Sequence, residues 1–234
     1  MLSVRNLEAR YGALSVLFGV DLEVPEGQTL ALIGANGAGK STTFNTICGL
    51  LPATGGDIAL AGRSLLGMSA EAIVSEGLIM VPEGRRLFPS LSVEENLLVG
   101  AYRKRKGQWT LARIYELFPT MVEFRDRPST ALSGGQQQLV AIGRALMGNP
   151  QLLLCDELSL GLSPLAVDVV YGGLRKVREG GVSVIIVEQD IARALSESDS
   201  FACMRHGRIA LAGPSRSADR AAISAAYFGT AAHD

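Results

Sequence analysis

The stretch TLALIGANGAGKST, Thr29–Thr42, decides the fold. It opens on an apolar run without polar alternation, passes through a glycine-rich turn and continues into helix-like sequence, so it reads as buried strand, tight loop, helix. Three more short apolar runs of the same kind follow: GLIMVPE (Gly77–Glu83), QLLLCDE (Gln151–Glu157) and SVIIVEQ (Ser183–Gln189). Strands that read this way are buried on both faces, as in parallel sheets covered by helices. Helix-like stretches lie between them, at Ser41–Leu50, Val93–Tyr102, Gln136–Met147 and Leu165–Arg178. The alternation implies an α/β fold around a mainly parallel sheet. In such sheets ligands bind beyond the carboxyl ends of the strands. The four runs end in the glycine loop, in Glu83, in Asp156 and Glu157, and in Glu188 and Gln189, so these residues are expected to share one crevice.

The amino terminus and FACMRHGRIALAG (Phe201–Gly213) read instead as short, half-exposed strands, the second a hairpin turning at His206-Gly207. Between Gly84 and Leu132 the strand rhythm gives way to helical spacing, which predicts a helical insertion on the sheet domain.

Composition narrows the class. The 234 residues carry 22 Lys or Arg against 23 Asp or Glu, a net charge of −1. That balance lacks the basic excess of an obligate duplex-DNA binder, and no nucleic-acid partner is expected. The cysteines Cys48, Cys155 and Cys203 are odd in number and widely spaced, which indicates neither a disulfide framework nor a zinc site. No secretory pattern opens the sequence, and no uncharged apolar run approaches the ~20 residues of a bilayer span. The chain is expected to be soluble, reaching a membrane only through a partner.

Three motifs carry chemistry. GANGAGKS, Gly34–Ser41, fits G-x-x-x-x-G-K-[ST] in the strand–helix context this pattern requires. Its glycines let successive N–H groups and the following helix end face a phosphate chain. Lys40 is expected to reach the β- and γ-phosphates of a nucleoside triphosphate, and the Ser41 hydroxyl to ligate Mg²⁺. In LLLCDE, Asp156 can hold the metal through water, while Glu157 can polarise an attacking water because neighbouring strand residues point to opposite sides. In LSGGQQQ, Leu132–Gln138, Ser133 can cap a helix whose bare glycine amides form a second anion seat.

With these motifs together, the sequence resembles an ATP-binding cassette (ABC) ATPase along essentially its whole length, LSGGQ being the signature of that family. The resemblance implies a P-loop fold of ABC type: a single domain over residues 1–234, with an N-terminal antiparallel β region and a helical subdomain of about 84–145 inserted in a RecA-like core. It implies that ATP with Mg²⁺ is sandwiched between the loop Gly34, Ala35, Asn36, Gly37, Ala38, Gly39, Lys40, Ser41 and Thr42 of one cassette and the signature residues Ser133, Gly134, Gly135 and Gln136 of another. Tyr11 resembles the aromatic that stacks on adenine. Glu83 stands where a glutamine is usual and is expected to ligate the metal with Ser41 and Asp156. Gln189 stands where the switch histidine is usual; it can donate a hydrogen bond but cannot carry a proton away, which leaves Glu157 as the general base. Leu158 and Ser163 also depart from the usual proline and aspartate.

The set YG, VPEGRRLFPSLSVEENL, SGGQQQ, DELSLGLSP and VEQD resembles the ATP-binding subunits of branched-chain amino acid importers, with urea, amide or other amino acid importers as alternatives. This implies transmembrane permease subunits, an extracytoplasmic solute-binding protein acting indirectly, a second cassette (a heterodimer favoured over a homodimer), and a place at the cytoplasmic face of the cell membrane. A soluble, non-transport cassette is the competing reading, but such proteins usually carry two cassettes or long coiled-coil insertions. A GTPase is disfavoured because no Asn-Lys-x-Asp occurs. The run Arg103–Lys106 reads first as solvated surface and second as a site near the permease and anionic lipid. His206 and His233 receive no role.

Overall fold

A computed structural model describes residues 1–228. A four-stranded antiparallel sheet is formed by β1 (Leu2–Tyr11), β2 (Leu14–Val24), β4 (Ala53–Leu60) and β5 (Arg63–Ser64), in the order β2-β1-β4-β5. The second sheet has six strands, β3 (Thr29–Ile33), β6 (Leu78–Val81), β7 (Leu152–Asp156), β8 (Ser183–Glu188), β9 (Ser200–Arg205) and β10 (Arg208–Pro214), ordered β10-β9-β3-β8-β7-β6. All its pairs are parallel except β9–β10. The helices are α1 (Lys40–Ile47), α2 (Ala70–Ser75), α3 (Val93–Gly100), α4 (Leu111–Leu117), α5 (Gly134–Leu146), α6 (Pro164–Glu179), α7 (Ile191–Ser196) and α8 (Arg220–Phe228).

The unbroken apolar runs have a direct cause. Leu30 and Leu32 of β3, Leu152 and Leu154 of β7, and Ile185 and Val187 of β8 enter a core shared with α1 and the antiparallel sheet. Their neighbours Ala31, Ile33, Leu153, Cys155, Val184 and Ile186 enter a second core filled by α3, α5 and α6. With both faces covered, alternation in the chain has no polar side to point to.

Residues 201–213 depart from expectation. β9 is not half-exposed: Phe201, Ala202, Cys203 and Met204 are buried because β9 pairs in parallel with β3 inside the main sheet. Only β10, the edge strand, alternates intermediate and exposed positions. β1 and β2 are also longer than expected, at 10 and 11 residues. Register shifts between Val4 and Leu7 and again beyond Leu7 let them continue past local irregularities. Between β6 and β7 the described elements are helical, α3 to α5 with two 3-10 turns.

The basic run is not uniformly solvated. Arg105 folds back to donate to the Asn149 carbonyl at 2.9 Å and the Ser75 carbonyl at 3.0 Å, tying the α3–α4 connection to the sheet domain. His233 lies outside the described residues.

Candidate functional site

The glycine loop is shaped by what lies beneath it. A Cβ at Gly34 would stand 2.6 Å from the Met204 carbonyl oxygen of β9, so only glycine fits without a shift. The β9–β10 turn buttresses the loop from the side: Gly207 N–H donates to the Ala38 carbonyl at 2.9 Å and its carbonyl accepts from Phe18 N–H at 2.9 Å. Gly39 caps α1 in the left-handed region, φ 112°, with no side-chain hydrogen bond at the helix end. The Lys40 ammonium is turned onto the loop itself, donating to the carbonyls of Gly34 at 2.6 Å and Ala35 at 3.1 Å. Burial lowers its pKa from the ordinary value, against the opposing pull of Glu157 and Asp156.

A cleft of about 630 Å³ lies over this loop, lined by Asn36, Gly37, Gly39, Lys40, Ser41 and Thr42 together with Glu83, Glu157 and Gln189. Residues from the ends of β6, β7 and β8 therefore meet beside α1. Val16 of β2 and Leu160 also line it. Val16 has no motif around it, and Leu160 lies within DELSLGLSP but is not singled out there. Tyr11 sits at the end of β1, 48% exposed and outside the cleft lining.

Asp156 closes β7 behind the cleft. Burial, then the carboxylates of Glu157 and Glu83, push its pKa up to about 6, with Lys40 opposing. Glu157 is not a continuation of the strand pleat. It has left β7 with φ 48°, a left-handed conformation costly for a non-glycine residue. That turn, rather than strand alternation, separates it from Asp156. Its N–H donates to the Val187 carbonyl at 3.1 Å, and its carboxylate accepts from Gln189 Nε2 at 2.8 Å.

Hard oxygen donors from Ser41, Asp156 and Glu83 suit Mg²⁺, which typically takes one or two carboxylates and completes its shell with phosphate and water. Among the described residues no group of three His, Cys, Asp or Glu is arranged to hold a metal alone. Burial is the main cause of the raised Asp156 pKa, and the nearby Glu157 and Glu83 carboxylates add to it, a charge balance that suits a divalent cation.

The signature residues lie elsewhere. Ser133 caps α5 in a reciprocal box: its Oγ accepts from Gln136 N–H at 3.3 Å, and its own N–H donates to Gln136 Oε1 at 2.9 Å. None of Ser133, Gly134, Gly135 or Gln136 lines the cleft. This turn is joined instead to the chain leaving β6. There Gly84, Arg85 and Arg86 are successively left-handed at φ 74°, 65° and 47°. The Arg144 guanidinium of α5 holds them, donating to the carbonyls of Arg86 at 2.8 Å and Arg85 at 3.0 Å, and Arg85 Nη1 donates to Gln137 Oε1 at 3.3 Å. Sequence reasoning gave Arg85 and Arg144 no role, because nothing in VPEGRR announces two left-handed arginines whose carbonyls a helical Arg144 would hold.

The chain is similar to known proteins over most of its length. The ABC transporter family profile matches residues 17–159. The high-affinity branched-chain amino acid transport ATP-binding protein BraG of Pseudomonas aeruginosa is 41% identical over 213 residues, covering 90% of this chain and 91% of that protein. The probable branched-chain amino acid transport ATP-binding protein LivF of Archaeoglobus fulgidus is 32% identical, covering 91% and 92%. Among solved structures, the dimeric structure of the bacterial ABC transporter cassette MJ0796 superposes with a TM-score of 0.81 at 26% identity, covering 93% of this chain and all of that one. The chain belongs to the ABC transporter family, as one of its ATPase cassettes.

Proposed function

We propose that this cassette is the ATP-hydrolysing subunit of an importer of branched-chain amino acids and that it works paired with a second cassette. One observation carries the pairing: the chain holds a phosphate cradle and a signature turn, and the turn does not line the cleft over the cradle. Each active site then needs the turn of a neighbour, in keeping with the dimeric form of the similar MJ0796 cassette. The solute rests on the names of BraG and LivF, matched over nine-tenths of this chain.

In this reading the amides of Gly34–Thr42 bind the triphosphate, and the Lys40 ammonium leaves the loop carbonyls for the β- and γ-phosphates. Ser41, Asp156 and Glu83 would hold Mg²⁺, which supplies neutralisation of phosphate charge when bound. Gln189 Nε2 fixes the Glu157 carboxylate, which accepts the proton of the water attacking the γ-phosphorus. Ser133 and the amides of Gly134 and Gly135 meet the terminal phosphate from the partner side. Tyr11 supplies a face for adenine. Among the described residues no helix is long and apolar enough to cross a membrane, so the proposed attachment to the cytoplasmic face of the membrane runs through permease subunits.

The solute is tested by reconstituting the cassette with its permease and solute-binding protein in vesicles. ATP-driven uptake of leucine, isoleucine and valine is expected. Uptake of urea with none of these three would replace the solute class while leaving the ATPase reading intact.

A further inference from the structure

The end of β8 grips the segment leaving β7 with three consecutive residues. Val187 and Gln189 hold the backbone and the carboxylate of Glu157, as described above. Between them stands Glu188, 2% exposed and outside the cleft lining. Its Oε2 accepts from Ser159 Oγ at 2.6 Å, and its Oε1 accepts from the Tyr171 hydroxyl of α6 and, more distantly, from Ser159 N–H at 3.4 Å. A buried carboxylate is tolerated only when donors satisfy it, and here the donors come from the turn after Glu157 and from the helix that follows. Burial, then the neighbouring Glu188 carboxylate, raises the Tyr171 phenol far above its ordinary pKa, which keeps it a donor. The Arg193 guanidinium over the Tyr171 ring at 5.9 Å covers the outer side.

We infer that Glu188 is a positioning residue for hydrolysis: by fastening Ser159 to Tyr171 it holds the left-handed turn at Glu157 and so aims the Glu157 carboxylate. The inference rests on the role given to Glu157 above. A non-glycine residue at φ 48° persists only where its surroundings over-determine it, and Glu188 supplies the hold two residues downstream. The phosphate cradle has separate supports in β9 and the β9–β10 turn, so loosening this hold acts on turnover before it acts on nucleotide binding.

The test uses the full chain assembled with its second cassette and carrying Glu188→Gln, Ser159→Ala, Ser159→Thr or the Glu188→Gln/Ser159→Ala double substitution. Glu188→Gln and Ser159→Ala each lower kcat about tenfold or more with KM for ATP within about twofold, as expected when a reacting group is misplaced. The double variant turns over no more slowly than the worse single one, because both remove the same hold. Ser159→Thr keeps the hydroxyl and most of the rate. Amide exchange at Glu157 and Ser159 quickens in the impaired variants, with α1 unaffected. An unchanged kcat in Ser159→Ala, or losses that multiply in the double variant, overturns the inference. If Glu188→Gln does not fold, the contrast of Ser159→Ala with Ser159→Thr decides the matter. Full turnover in Glu157→Gln removes the role of Glu157 and this inference together; lost turnover there beside an unchanged Ser159→Ala removes this inference alone.

Discussion

Gly34 stands in the glycine loop and Gly134 in the signature turn, and an added Cβ would meet very different things at each. At Gly34 it would press on the Met204 backbone carbonyl at 2.6 Å, inside a sheet that cannot move; at Gly134 it would meet only the guanidinium end of Arg85 at 3.1 Å. The cradle is built from below by its own fold, with Gly207 and Met204 against it. The signature turn satisfies its helix end internally, through Ser133 and Gln136, and presents an exposed Ser133. In the proposed pairing the first region receives the nucleotide and the second meets the nucleotide of a neighbour, so a cassette would carry one finished half-site and one offered half-site.

The largest expected effect lies on the cradle side. Glu157→Gln removes the proposed base while leaving every loop amide in place, so kcat falls about 10²- to 10⁴-fold with ATP affinity retained. Turnover and equilibrium ATP binding measure the two separately, and a joint loss would blur the distinction between cradle and base. Next come the two glycines. Gly34→Ala costs about 1–3 kcal/mol of stability through overpacking against backbone, whereas Gly134→Ala stays within about 0.5 kcal/mol because a flexible side chain can yield. Denaturant unfolding checks both; equal losses would break the comparison. In the proposed pairing Gly134 would face the partner's nucleotide, so Gly134→Ala should nonetheless slow hydrolysis.

A further effect is set by pH. The Asp156 carboxyl is raised from its ordinary 3.8 to about 6, chiefly by burial. The folded chain then holds a proton that the unfolded chain releases, so this group lowers stability as pH rises from about 4 to 6 and the loss is complete above that. In metal-free buffer at pH 7.5, Asp156→Asn is expected to be more stable by about 1 kcal/mol. The advantage should fade as the pH is brought down through about 6. Thermal melts across that range read it, and a pH-independent difference would separate Asp156 from the charge cluster.

Much of this was legible in sequence where a residue's surroundings constrain it from both sides. β3, β6, β7 and β8 announced themselves because two cores force apolar residues onto both faces. The capping serine of α5 was legible because the cap interaction is local. β4 was not, since Gly55-Gly56 interrupts it: Gly56 sits at φ 87° with the Asn6 carbonyl 2.3 Å from where a Cβ would be, a packing demand set by another strand. β9 misled because its sequence shows a hairpin while its burial comes from pairing with β3. In the site, Glu83, Asp156, Glu157 and Gln189 were found from their positions at strand ends. The contact between Gln189 and Glu157 was not, because it depends on a left-handed turn that composition does not reveal. Arg144 was hidden for the same reason, as its partners are the carbonyls of two left-handed arginines.

The central claim is that the displayed turn of this chain completes the cradle of a neighbour. It is tested most directly by the structure of the Glu157→Gln chain assembled with its second cassette in MgATP. The account predicts Ser133 Oγ and the Gly135 amide within hydrogen-bonding distance of the γ-phosphate on the neighbouring cradle. A nucleotide-loaded assembly in which Ser133 faces solvent or its own chain, with the γ-phosphate contacted by one cassette alone, would contradict it.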